Sequence, residues 1–225
     1  MLHQRRTPVR KDLTSEEFVT VENDMTAADW KQETLAYYEA NTDDFITGTL
    51  AADMQATRDR FAALLSPHAL ILDFGCGSGR DTKAFLEAGY RVEAVDGSEE
   101  LCLKASAYTG IPVKKMLFQE LDAVERYDGI WACASILHLP KDELASVINK
   151  METALKMGGV LYASFKYGDF EGMRNGRYFT YFTDEKLKEF WASVTNMPIF
   201  DMWITSDVRA GREEEKWINF LARRA

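Results

Sequence analysis

Cysteine and histidine are scarce in this chain, with three of each among 225 residues. Cys76, Cys102 and Cys133 show neither CxxC nor histidine-rich spacing, which excludes a disulfide framework and a zinc site and predicts free thiols and no bound metal. No apolar run is long enough to span a bilayer, so no membrane contact is expected. The N-terminal "MLHQRRTPVRKDLTSEE" carries positive charge without a following apolar segment and does not read as a secretory signal. The cytoplasm is the expected compartment. Positive charge is also short: 27 Lys and Arg against 36 Asp and Glu give a net charge of −9. That balance opposes nonspecific grip on a phosphate backbone and makes nucleic acid an unfavoured partner. Repeats and low-complexity segments are missing as well.

What is present is the composition of a soluble globular chain, 46% apolar and 28% charged, of a length that suits one catalytic domain. Residues 1–25 mix charges without periodicity and read as a mobile or loosely docked arm, whose Arg5, Arg6, Arg10 and Lys11 suit a solvated tail or, as the alternative, contact with an anionic partner. Residues 26–225 read as one domain, a helical cover over 26–66 followed by a core over 67–225. Thr26 and Asp29 match a capping box opening the first helix, and a second helix is expected over 50–65. Short apolar runs at 69–74, 90–95, 112–118, 127–133 and 158–166 predict strands, separated by amphipathic segments. The strongest helical pattern spans 140–157, with Gly158 as its stop, and Thr183 caps another at "TDEKLKEFW". The last two runs, "PIFDMWIT" and "EKWINFLA", have no helix between them and predict a hairpin whose final strand enters the sheet reversed. The expected fold is α/β: a doubly wound, mostly parallel seven-stranded Rossmann-like sheet with N-terminal helices over the ligand site.

The stretch "LILDFGCGSGRDT", residues 70–82, turns a strand into a helix through glycines at 75, 77 and 79. Glycines allow the tight turn and the close approach of a nucleotide-like ligand. The dinucleotide fingerprint is GxGxxG, whereas the spacing here is GxGxG. Asp73 stands directly before the loop, where a pyrophosphate would be repelled and the ammonium and sulfonium of S-adenosylmethionine would be attracted. Asp96, in "AVDGS" after the second strand, has the place of an acid that accepts hydrogen bonds from ribose hydroxyls. Capping the helix that starts near Ser98 is its alternative role.

These residues resemble class I S-adenosylmethionine-dependent methyltransferases. The resemblance runs from about residue 35 to the C-terminus through "LDFGCGSGRD", "VDGS", "FQELD", "YDGIWACASILHL" and "ALKMGGVLYASF", in order, and the reversed last strand fits it too. Small stand-alone enzymes, of the tellurite-resistance type or acting on other small molecules, are the nearest subgroup. The resemblance implies S-adenosyl-L-methionine as cofactor, with Asp73, Gly75, Cys76 and Gly77 around its methionine part and Asp96 and Gly97 at its ribose. It implies Gln119, Glu120 and Leu121 at the adenine, although many relatives carry an Asp where this chain has Gln119. Ala134 would offer a carbonyl to the ammonium, and Tyr38 would close over the cofactor or serve as helix packing. Arg80 would contact the cofactor carboxylate or brace the loop.

For the acceptor, His138 in "SILHLP" stands where open α/β sheets bind ligands and is the candidate general base, with loop packing as its bland alternative. The segment "FKYGDFEGMRNGRYFTYF", residues 165–182, reads as a lid, and its Lys166, Tyr167, Arg174 and Arg177 suit a small acceptor with a negative charge or a ring. Trp203 and Arg209 are expected to approach the same region. The reading is therefore methyl transfer to a small-molecule acceptor by a monomer or homodimer. RNA or protein methylation is the rival within enzymes, a non-catalytic cofactor-binding regulator the rival outside them, and hydride transfer a distant fourth.

Overall fold

A computed structural model of the chain describes residues 27–209 and 211–225. The basic arm and the Thr26 cap lie outside the described residues, as does the side chain of Asp29. Three helices come first: α1 (Ala27–Ala40), α2 (Thr42–Leu50) and α3 (Gln55–Ala62). Then strands and helices alternate, β1 (Leu70–Phe74), α4 (Arg80–Glu87), β2 (Arg91–Asp96), α5 (Glu99–Thr109), β3 (Val113–Lys115), β4 (Tyr127–Ala132), α6 (Lys141–Ala154) and β5 (Leu155–Lys166). The chain closes with β6 (Glu171–Arg174), β7 (Arg177–Thr180), α7 (Asp184–Val194), β8 (Ile199–Ser206) and β9 (Lys216–Arg223).

Seven strands form one sheet in the order β3-β2-β1-β4-β5-β9-β8. The first five pair in parallel, β9 runs antiparallel to β5, and β8 pairs antiparallel with β9, so the reversed final strand is present. The alternation of side chains divides the core in two. Leu72, Phe74, Ile130, Ala132, Leu161, Ala163 and Phe165 face α6 and α7, while Ile71, Trp131, Val160 and Tyr162 face Phe61 of α3 and Phe85 of α4. Because both faces are covered, the central strands read as continuous apolar runs rather than alternating ones.

Three boundaries differ from the sequence expectation. The helix expected over 50–65 is the shorter α3, opened where Asp53 accepts the Gln55 N–H at 2.8 Å, and α2 before it was not anticipated. The helix expected over 140–157 stops at Ala154, because Leu155 is fully buried and pairs with Tyr127 in the sheet. Gly158 therefore sits inside β5, with φ +78° beside a register shift, and does not end the helix. The third strand has only Val113–Lys115, after which a 3-10 turn covers Phe118–Glu120.

The segment 165–182 is not an open loop. Asn175 and Gly176, with φ of +52° and +73°, turn β6 into β7 as a tight two-residue hairpin. Tyr178 donates its N–H to Thr34 of α1 at 2.9 Å, and Thr180 donates its hydroxyl to the Leu139 carbonyl at 2.7 Å. These bonds set the hairpin over the carboxyl ends of β4 and β5. No helix among the described residues is long and apolar enough to cross a membrane.

Candidate active site

In this strand order the chain leaves β1 toward β2 and later returns to β4 on the other side, so a crevice opens between the carboxyl ends of β1 and β4. A single cleft lies there, roofed by α1, α2 and the β6–β7 hairpin and reaching the β8–β9 connection.

Its floor is the glycine loop. Gly75 and Gly77 have φ of +85° and +54°, and a Cβ on Gly75 would lie 2.5 Å from the Ser135 Cβ. The loop needs glycine there because the segment after β4 presses against it, latched by the Ser135 hydroxyl on the Phe74 carbonyl at 2.6 Å. Asp96 accepts the Gly77 N–H with one oxygen and the Ser98 N–H with the other, both at 2.9 Å. It thus ties the loop to α5, whose cap is the Ser98 side chain. Burial raises the Asp96 carboxyl, and those N–H donors oppose the rise. Glu39 of α1 accepts the Glu99 N–H at 2.7 Å, fixing the roof to the same helix end.

Asp73 is 2% exposed and its protein partner is the Thr82 hydroxyl at 2.5 Å. Burial and the neighbouring Asp81 push its carboxyl up to about 7. Asp81, which sequence reasoning passed over, is the organising acid beneath the loop. It accepts from Arg80 at 2.6 and 3.0 Å, from Arg58 at 2.7 Å and from the Trp131 indole at 3.0 Å. Burial raises Asp81, but the two guanidiniums outweigh it and hold the carboxyl below its usual range. Arg80 is accordingly engaged as a brace. The signal for Asp81 was its place beside Arg80 in "GSGRDT"; its partners Arg58 and Trp131 come from elements far apart in the chain.

His138 is 8% exposed and both ring nitrogens are occupied. Nδ1 lies 2.6 Å from the Tyr178 carbonyl and must carry the proton, so Nε2 accepts the Tyr38 hydroxyl at 2.8 Å. Burial, with the charges of Arg177 and Lys166 behind it, brings the imidazole down to about 4. As placed, His138 orients Tyr38 and links the roof helix to the hairpin. Tyr38 in turn packs edge-on against Phe45 at 5.2 Å, and Phe45 lies over Gly77.

Gly97, Cys76, Gln119 and Ala134 also line the cleft, Ala134 with a left-handed φ of +51° and its N–H donated to Ser164 at 2.9 Å. Gln119 donates to Glu143. Glu120 and Leu121 do not line it: Glu120 closes its own turn by accepting the Leu117 N–H, and Leu121 is buried in the core. At the hairpin end Lys166, Arg177 and Arg209 face the cleft, joined by Asp207, Arg212, Trp217 and Asn219, which sequence reasoning did not single out. Their only sequence signal was a polar turn around Gly211. Arg174 is exposed at the hairpin turn and Tyr167 points to Asp184 at 3.3 Å; neither lines the cleft. Trp203 lies behind the sheet, under the Arg60 guanidinium at 4.2 Å and near Tyr162. Among the described residues no group of three His, Cys, Asp or Glu is arranged to hold a metal.

The donor set fits S-adenosylmethionine. Asp73 is buried and Asp96 half-buried, and neither has a cationic side chain in contact, which suits a ligand bearing ammonium and sulfonium and repels a pyrophosphate. The glycine cradle leaves room where a Cβ would intrude.

Known proteins agree with this geometry. Residues 71–159 match the family profile described as a methyltransferase domain. No curated protein sequence matches the chain significantly. Among solved structures, the chain superposes with a TM-score of 0.75 on the 1,6-didemethyltoxoflavin-N1-methyltransferase of Burkholderia thailandensis, solved with 1,6-didemethyltoxoflavin and S-adenosylhomocysteine. Identity there is 23%, over 96% of this chain and 93% of that one. Magnesium protoporphyrin IX methyltransferase from Synechocystis, with bound SAM, gives a TM-score of 0.65 at 18% identity over 89% and 100% of the two chains. The [4+2]-cyclase SpnF gives 0.65 at 14% identity over 83% and 96%. Residues 71–159 therefore match a methyltransferase domain, and the strand order around them is that of the Rossmann-like methyltransferase fold.

Proposed function

We propose that the protein transfers the methyl group of S-adenosylmethionine to a small-molecule acceptor bound under the β6–β7 hairpin. One observation carries this reading: a continuous cleft joins the glycine loop, Asp73 and Asp96 to Lys166, Arg177 and Arg209 beneath the hairpin. In this reading Asp73 receives the ammonium, Asp96 the ribose hydroxyls, Gln119 borders the adenine, and Tyr38 with Phe45 closes the roof. Bound there, the cofactor supplies an already activated methyl on a sulfonium. The chain's residues have only to align the acceptor, exclude water and hold its charge. His138 serves by fixing Tyr38; its occupied lone pair and low basicity make it a positioning group.

A macromolecular acceptor is disfavoured by the roof, since α1 and the hairpin are bonded across the cleft through Thr34 and His138. The regulatory alternative keeps its place because one fold neighbour bears the name of a cyclase, and a fold does not certify methyl transfer. Incubation with S-adenosylmethionine and a library of small acceptors, read by mass for an added methyl, tests the proposal. Cofactor binding with no methylated product across the library would favour the regulatory reading.

A further inference from the structure

The positive side chains at the hairpin end of the cleft differ in how their charge is met. Lys166 pairs with Glu215, Arg209 with Asp207, and Arg212 with Glu215 at 2.6 Å. Arg177 has no such partner: among the described residues it makes no ion pair, and its Nε is buried without a hydrogen-bond acceptor. Its guanidinium instead lies 4.2 Å from the Tyr37 ring centroid, 5.1 Å from Phe179 and 5.8 Å from Tyr38. Aromatic faces attract the cation, but they offer the Nε–H no acceptor. A buried donor without an acceptor is unfavourable and calls for a specific explanation.

The geometry limits what can complete Arg177. The rings pack against the guanidinium, and its planar fork of N–H donors, with Nε still unpaired, stays available along its edge. A fork of that shape matches a planar two-oxygen anion, whereas it offers nothing to an ammonium or a hydrocarbon. The other carboxylates at this end are engaged, Asp207 with Arg209 and Trp217 and Glu215 with Lys166 and Arg212, so none is released to serve it. The walls between Arg177 and the glycine loop include Trp30, Tyr38, Phe118 and Phe179, which suit a flat apolar body. Tyr38 spans the distance, touching Phe45 above the glycine loop on one side and Arg177 on the other.

We propose that Arg177 is the acceptor-recognition residue and that it holds the carboxylate of a small aromatic acid, whose ring extends along the aromatic walls toward the glycine loop. Its role in methyl transfer rests on the proposed function; the anion site itself does not. The carboxylate is an anchor in this scheme, and the methyl-accepting atom lies elsewhere on the ring. Arg174, one turn away and solvent-exposed, takes no part.

Calorimetry with benzoate and benzamide as probes, on the protein with and without saturating S-adenosylhomocysteine, tests this. Benzoate should bind at least about tenfold more tightly than the uncharged amide, as a charge-assisted bidentate bond requires. Arg177→Gln should abolish that preference while S-adenosylhomocysteine affinity is retained, Arg177→Lys should keep part of it, and Arg174→Gln should keep all of it. No benzoate binding, equal binding of the two probes, or a preference that survives in Arg177→Gln would overturn the proposal. If Arg177→Gln does not fold, the wild-type preference and the Arg177→Lys variant still decide. Benzoate held by Arg177 in a protein that does not bind S-adenosylhomocysteine would instead remove the methyl-transfer reading and leave the anion site standing.

Discussion

The two ends of the cleft are built on opposite terms. At the glycine-loop end the polar groups satisfy one another: Asp81 collects Arg80, Arg58 and Trp131, and Asp96 collects two backbone N–H groups. Those groups sit on regular elements, Arg58 on α3, Arg80 and Asp81 on α4, Trp131 on β4 and Asp96 at the end of β2. At the hairpin end the frame is an insertion after β5 and the β8–β9 connection, held to the rest by a few bonds to Thr34, His138 and Leu139. There a buried donor on Arg177 is left unpaired. The contrast teaches where variability can reside: the bonded end is fixed by the sheet itself, while the unpaired end is set by segments that can change without disturbing it.

The largest expected effect breaks the bonded end. Asp81→Ala leaves two half-buried guanidiniums and a buried indole N–H without their acceptor and should cost about 3 kcal/mol in urea unfolding. A loss under about 1 kcal/mol would mean that the network is not what holds the loop. Next comes proton linkage at Asp73, held up near 7 by burial and by Asp81. An α-ammonium placed at Asp73 favours the ionised carboxylate, so S-adenosylhomocysteine affinity should be full above that value. Between pH 7 and pH 5 it should fall by about tenfold per unit, with proton uptake on acidification and proton release on binding. A flat affinity over this window would separate Asp73 from the ammonium.

His138→Asn tests the junction between the ends. An Asn can still meet the Tyr178 carbonyl or the Tyr38 hydroxyl, so turnover should drop by less than about tenfold with an unchanged pH–rate profile. Loss of the order of 10²-fold or more, with a titration removed from the profile, would make His138 a general base after all. The smallest effect should be Arg174→Ala, exposed at the hairpin turn, which should stay within about 0.5 kcal/mol in stability and leave turnover unchanged.

The same contrast runs through what was legible in the sequence. Strand positions in the parallel core were readable because burial on both faces writes continuous apolar runs such as "LILDF" and "GVLYASF". The glycine loop and Asp96 were readable because their chemistry is local. Asp81 was not, since its meaning depends on Arg58 and Trp131, which tertiary structure brings to it. The hairpin was hidden in plain view: "RNGR" is a two-residue turn signal, but glycines and charges around it read as a lid loop. Leu155 shows the limit of periodicity, for its helical spacing was overridden by a place in the sheet. Arg177 was one of four candidates in the segment after the fifth strand, Lys166, Tyr167, Arg174 and Arg177; only packing separates it from Arg174, three residues away.

Calorimetric titration of the purified protein with S-adenosylhomocysteine, and separately with NAD, tests the central claim most directly. Saturable binding of one S-adenosylhomocysteine per chain, with no detectable heat from NAD, is the predicted result. Tight binding of NAD with none of S-adenosylhomocysteine would contradict the account at its root.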